Sequence, residues 1–208
     1  MRSIVLATRN PGKLREIQRV LADLDVRVTG LDEAGGIAEP EETGQTFAEN
    51  ARQKALYYAR ATGQWCLADD SGLVVDALGG APGVYSARYA AADCPPSAGR
   101  ETLDHANNAR LLRELAETPE EKRTARFVCC LALAAEDKIL IEADGVVEGR
   151  IAREKAGENG FGYDPLFFVP ELGCTTAQLS PEQKNSISHR GRAVRRFAEL
   201  LKTHLTRT

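Results

Sequence analysis

The sequence predicts an α/β fold, and three observations carry that prediction. Short apolar runs such as RSIVLAT at 2–8 alternate with segments whose apolar residues recur at helical spacing. With 43% hydrophobic and 27% charged residues over 208 positions, the chain has the balance of a globular domain able to bury a core. Strand and helix signals interleave from end to end without a repeat, a low-complexity tract or a linker. That pattern points to one domain over 1–208, with room for two lobes around a cleft.

In order, 2–8 reads as a buried strand, and Leu14, Ile17, Val20, Leu21 and Leu24 mark an amphipathic helix over 11–24. Asn10 suits its cap and Pro11 its first position. DVRVT at 25–29 suits a second strand, and an acidic loop containing Gly and Pro follows at 34–45. Thr46, with Glu49 three residues on, forms a capping-box signature for a helix that Gly63 stops. WCLADDSGLVVDAL at 65–78 reads as strand, polar interruption, then strand or turn. Residues 79–100 lack periodicity, and so long an irregular stretch is usually functional or mobile. Leu103, Ala106, Leu111, Leu112 and Leu115 give a third helix ending before Pro119. RFVCCLALAAED and KILIEADGVVEGRIA read as strands joined by tight turns, and 153–173 as a loop rich in Gly and aromatics. Ser180-Pro181 with Gln183 opens the last part, which ends in an amphipathic helix bearing Val194, Phe197, Leu201 and Leu205.

Composition restricts the function classes. A net charge of -3 gives no long-range attraction to nucleic acid, so a duplex-binding role is disfavoured. The apolar start, MRSIVLAT, is too short for a signal-peptide core, and no later stretch approaches the ~20 apolar residues of a membrane span. The expected location is cytoplasmic. Five cysteines without C-x-x-C spacing read as reduced, mostly buried thiols rather than a zinc site or disulfide framework.

Several segments could carry chemistry. Thr8-Arg9-Asn10-Pro11-Gly12-Lys13 sits at a strand-to-helix turn, where unpaired N–H groups and a lysine suit a phosphate, although the P-loop spacing is missing. A plain helix cap and a solvated lysine would produce the same residues. Glu41-Glu42 and Asp69-Asp70 are candidate ligands for a hard cation such as magnesium, which favours a few carboxylate oxygens plus water and substrate phosphates. The glutamates suit a solvated loop equally well. If 66–70 is extended, Asp69 and Asp70 point to opposite sides and only one faces a shared site. Phe161-Gly162-Tyr163-Asp164 combines rings that can stack on a purine with a carboxylate that can accept from base N–H groups. An aromatic plug in the protein's own core fits the same residues. Lys184 and Ser188-His189-Arg190 cluster near the last helix, and taken singly each suits an ordinary structural role.

The segments TRNPGKLREI, TFAENARQKA, LADDSGLVVDALGGAPGVYSARYA, GFGYDPLFFVP and LSPEQKNSISHRG occur in one order. Together they resemble the inosine/xanthosine triphosphate pyrophosphatase family, house-cleaning purine nucleotide enzymes, from residue 3 to about 200. The resemblance implies a mixed, elongated central β-sheet flanked by helices, two lobes with a cleft between them, and a homodimer. It implies hydrolysis of aberrant purine triphosphates (ITP, dITP, XTP) between the α- and β-phosphates, giving monophosphate and pyrophosphate. By matching position, Thr8, Arg9, Asn10, Pro11, Gly12 and Lys13 would bind phosphate, with Lys13 stabilising the departing pyrophosphate. Glu41 and Asp70 would hold Mg2+, Asp70 would also accept a proton, and Ser71 would touch substrate. Phe161, Gly162, Tyr163, Asp164, Lys184, His189 and Arg190 would line the base and sugar side. Two rivals remain at this point: a Maf-like pyrimidine nucleotide pyrophosphatase and a non-catalytic nucleotide-binding regulator. The FGYD and SHR segments weigh against the first, and the presence of Glu41, Asp70 and Lys13 against the second.

Overall fold

Strand β1 (Arg2–Leu6) leads into α1 (Pro11–Val20) and back to β2 (Val26–Gly30), in a computed structural model that describes residues 2–9, 11–35 and 37–206. Then come α2 (Phe47–Thr62), β3 (Trp65–Val75), α3 (Arg100–Glu114), β4 (Thr124–Ala135) and β5 (Lys138–Ile151). Two short strands, β6 (Phe167–Val169) and β7 (Cys174–Thr175), precede α4 (Pro181–Ile187) and α5 (His189–Leu205). The sheet order is β2-β1-β3-β4-β5-β6-β7. It is mixed: β1 runs parallel to β2 and β3, whereas β5–β6 and β6–β7 are antiparallel. The α/β expectation holds.

The capping chemistry does what the sequence indicated. The Thr46 hydroxyl accepts from Glu49 N–H and the Glu49 carboxylate accepts from Thr46 N–H, while Gly63 ends α2 at φ 65°. Ser180 and Gln183 form the same box at α4. Other expectations are corrected. The first helix stops at Val20, and Leu21 and Leu24 follow it in a turn. β3 runs unbroken through Asp69-Asp70-Ser71, where a polar interruption was expected. The 153–173 loop contains β6 and the start of the turn to β7. The aperiodic stretch holds 3-10 turns at 83–88 and 91–93. Side chains pin it: Leu73 N–H donates to Ser86 Oγ at 2.8 Å and Ala90 N–H to Asn107 Oδ1 at 2.7 Å.

The chain divides into two compact units that share β3, β4 and β5. The first comprises Met1–Asp70, Cys129–Gly145 and Arg190–Thr208. Strand alternation sorts its core into two faces. Ile4, Leu6, Leu67, Cys129 and Leu131 pack with Ile17 of α1, Leu21 in the turn after it, and Val194, Phe197 and Leu201 of α5. Val5, Cys66, Ala68, Ala132 and Ala134 pack on the small face of α2, Ala51, Ala55 and Ala59, with Tyr58. Cys129 and Cys130 accordingly fall on opposite faces, and all five cysteines are free thiols.

The second unit, Ser71–Val128 and Val146–His189, packs Leu73, Val75, Phe127, Ile151, Tyr163 and Phe167 against Leu111 of α3 and Leu115 at its C-cap. Inside it lies Arg123, 1% exposed, whose guanidinium donates to the carbonyls of Leu115, Ile151 and Ala152 at 2.6, 2.8 and 3.0 Å. A buried cation donating to these three carbonyls ties the end of α3 to the end of β5. Among the described residues, no helix is long and apolar enough to cross a membrane.

Candidate active site

Adjacent residues of β3 feed two different faces of the first unit. Asp69 shares the face of Leu67 and therefore meets α1 and α5; Asp70 shares the face of Cys66 and Ala68 and meets α2. On the first face, the Lys13 ammonium donates to Asp69 Oδ2 at 2.8 Å and Arg190 Nε stands 3.6 Å from the same oxygen. Burial opposes ionisation of Asp69, but Lys13 and Arg190 outweigh it and hold the carboxyl well below the usual carboxylate range. Asp69 is thus an anchor, ionised at neutral pH, that fixes the lysine at the start of α1.

On the other face, Asn50 and Lys54 lie one turn apart along α2, both turned toward β3. Asn50 Nδ2 donates to Asp70 Oδ2 at 3.0 Å, and Lys54 Nζ is 3.6 Å from Asp70 Oδ1 while forming an ion pair with Glu42. Asn50 also accepts from Gly44 N–H through Oδ1 at 2.8 Å, fastening the 39–45 loop beside the aspartate. A Cβ at Gly44 would come within 2.5 Å of that oxygen, so only glycine fits. Burial pushes the Asp70 carboxyl up, with Lys54 and Asn50 restraining part of the rise and Glu42 adding to it. Burial works against the Lys54 ammonium, yet Asp70 and Glu42 outweigh it and its pKa stands above the ordinary lysine value. Asp70 is the carboxylate suited to taking a proton; Asp69 is not.

A pocket in this unit is lined by Thr8, Arg9, Lys13, Lys54, Tyr58 and Asp69. Of the expected phosphate residues, Thr8, Arg9 and Lys13 border it, and Arg9 also donates to the Ile37 carbonyl at 3.2 Å. Gly12 lies in the exposed first turn of α1; Asn10 and the Pro11 side chain fall outside the described residues. Glu41 is exposed, while its neighbour Glu42 is the half-buried residue that pairs with Lys54 next to Asp70. Among the described residues, no group of three or more His, Cys, Asp or Glu side chains gathers around one point. Two carboxylates, Glu42 and Asp70, do converge, on the Lys54 ammonium. Two hard oxygen donors, with water and phosphate oxygens completing the shell, are the donor set magnesium takes.

The second unit holds the remaining expected residues. Phe161 is half exposed, its ring 4.7 Å from the Lys184 ammonium, so it has a face to offer. Tyr163 is instead buried, its hydroxyl donating to the Ser86 carbonyl at 2.9 Å. The buried Asp164 carboxylate is occupied: Oδ2 accepts from Phe161 N–H at 2.8 Å and from Lys184, and Oδ1 from Thr176 Oγ1 at 2.9 Å. It organises the loop from within, and Gly160, at φ 82°, leaves the space it needs. His189 stacks on Phe127, centroids 4.9 Å apart with a 17° tilt. Ser71 follows Asp70 in β3 and is half-buried.

Sequence reasoning missed Lys54, Asn50 and the anchoring role of Asp69, and it named Glu42 only within the Glu41-Glu42 pair, the metal role going to Glu41 by resemblance. The i, i+4 spacing of Asn50 and Lys54 within TFAENARQKA was a legible signal, since residues so spaced share one face of a helix. Nothing periodic separates Glu41 from Glu42 in a loop.

Residues 4–200 match the model of the Ham1 family. The chain is 51% identical to the dITP/XTP pyrophosphatase of Desulforamulus reducens over 198 residues, covering 95% of this chain and 94% of that one. It is likewise 51% identical to the dITP/XTP pyrophosphatase of Pseudomonas aeruginosa over 196 residues, 93% and 94% of the two chains. In structure it is similar to a HAM1 protein from Coxiella burnetii, with a TM-score of 0.88, 43% identity, and 98% and 100% of the two chains covered. A match of this extent, with the ordered motifs and the β3 carboxylates in place, means that the chain belongs to the Ham1 family.

Proposed function

We propose that this chain is a magnesium-dependent nucleoside triphosphate pyrophosphatase that hydrolyses ITP, dITP and XTP to the monophosphate and pyrophosphate. The observation that carries the reading is the division of labour along β3: Asp69 charges and fixes Lys13, while Asp70, with its pKa raised, sits beside Glu42 and Lys54. The names borne by relatives of about 50% identity supply the substrate class. A homodimer working in the cytoplasm belongs to the same proposal, on the strength of the family resemblance.

The chemistry follows from charge. Glu42 and Asp70 would hold the cation, which when bound supplies Lewis-acid polarisation of phosphate oxygens. Asp70 accepts the proton of the attacking water, a role that its raised pKa favours and that a neighbouring dication would oppose. Lys13 and the N–H groups at the start of α1 bind the leaving pyrophosphate. Thr8 contributes neutral hydrogen bonding at the same turn. In the second unit, Phe161 stacks on the base, and Asp164 with Lys184 hold its loop in shape. His189 donates to the 6-oxo group of hypoxanthine or xanthine, where adenine presents a donor. A site built on such a bond discriminates by roughly 10⁴-fold, because the wrong base leaves buried polar groups unpaired.

The test is a nucleotide panel with magnesium in which pyrophosphate and orthophosphate are separated. Pyrophosphate from ITP, dITP and XTP, with ATP and GTP far slower, is expected. Orthophosphate as primary product, or dTTP and UTP turning over faster than ITP, would overturn the reading.

A further inference from the structure

Helix α3 grips the 161–164 loop by a single residue. Asp104 and Asn108, one helical turn apart, lie on one face of α3. Gly162 N–H donates to Asp104 Oδ2 at 2.9 Å, and Asn108 Nδ2 donates to the Gly162 carbonyl at 2.7 Å. Both backbone polar groups of Gly162 are therefore held, at a φ of 61° that an L side chain rarely adopts. Arg100 Nε, 3.0 Å from Asp104 Oδ1, orients the carboxylate. The grip fixes the backbone immediately after Phe161, and Asp164 fixes the N–H of Phe161 itself.

Asn108 makes this contact at a disadvantage. It is 3% exposed, Nδ2 also donates to the Asp104 carbonyl at 2.6 Å, and its Oδ1 is buried without a hydrogen-bond partner among the described residues. An amide that leaves its own oxygen unsatisfied is a poor way to stabilise a helix face, where a leucine would fill the same space. Such a residue is better explained by what it holds.

We infer that Asp104 and Asn108 are positioning residues for purine recognition: by clamping Gly162 they set the Phe161 ring against the base. This rests on the base-stacking role proposed above for Phe161.

The experiment compares Asn108→Leu, Asp104→Leu, Asp104→Asn and Phe161→Ala. It measures KM and kcat for ITP, the Ki of inorganic tripolyphosphate as a base-free competitor, and the melting temperature. For Asn108→Leu the ITP KM should rise about tenfold, the loss of a well-placed stacking contact, with kcat within about twofold. Tripolyphosphate Ki should stay at the wild-type value, and the melting temperature within about 3 °C of it. Asp104→Leu should reproduce the KM effect, whereas Asp104→Asn, which keeps an acceptor for Gly162 N–H, should restore most of it. Should Asn108→Leu fail to fold, the contrast between the two Asp104 variants decides in its place. An unchanged ITP KM, or parallel losses for ITP and tripolyphosphate, overturns the inference. If Phe161→Ala raises the ITP KM and the clamp variants do not, only the clamp fails; if Phe161→Ala has no effect, the base-side reading fails with it.

Discussion

Replacing Asp69 by Asn removes a negative charge that two cations share and keeps the side-chain volume. At 2.8 Å from Lys13 and 3.6 Å from Arg190, the gross attractions are about 6 and 5 kcal/mol at an effective dielectric of 20. Most of this offsets the several kcal/mol needed to take each ion out of water. The net loss should be on the order of 3 kcal/mol, which for a chain of this length lowers the melting temperature by roughly 6–12 °C at pH 7. The pH dependence gives the sharper readout. Because the folded-state pKa of Asp69 is depressed, its contribution is full above the unfolded value near 4 and is lost as pH falls through the folded value. The gap between wild type and Asp69→Asn should therefore be widest above about pH 5 and narrow progressively as pH falls below about 4. Lys13 without its anchor should also lose geometry, lowering kcat/KM about 100-fold. Calorimetric melting at pH 7, 4 and 2.5 measures the first effect and initial rates the second. A gap of the same size at every pH, or none at pH 7, would refute the anchor argument.

Asp70→Asn should act oppositely on stability. Its pKa is raised, so the ionised group costs folding free energy above the folded pKa and nothing below the unfolded one; at pH 7 the variant should melt at or above the wild-type temperature while kcat falls about 10³-fold. Glu42→Gln should raise the magnesium concentration for half-maximal rate at least about tenfold, whereas exposed Glu41→Gln should change it less than about twofold, as a metal titration of the rate would register. Arg123→Leu deprives three carbonyls of their donor and should cost about 3 kcal/mol in urea unfolding, leaving kcat unchanged.

Local rules were legible wherever one side chain decides the local geometry. The Thr46–Glu49 and Ser180–Gln183 boxes and the Gly63 stop follow from capping chemistry within four residues. The opposite facing of Asp69 and Asp70 follows from the period of a strand. The continuity of β3 was not legible, because three successive polar residues look like a break until Lys13, Asn50 and Lys54, distant in sequence, are seen compensating them. β6 and β7, of three and two residues, are too short for a period to register. In the FGYD loop the residue types suit a purine on chemistry alone, yet burial separates them: Phe161 is presented, while Tyr163 and Asp164 hold the loop from inside.

The pairing of β3 with β1, Ile4 opposite Trp65 through Leu6 opposite Leu67, has one more consequence. Sliding β3 by a single position would turn Asp70 toward Lys13 and leave α2 facing Asp69. Both carboxylates ride on one backbone, so evolution can change the helices around them but cannot retune their separation without inserting a bulge. The stretch should therefore accept substitutions at its flanks far more readily than any one-residue insertion or deletion.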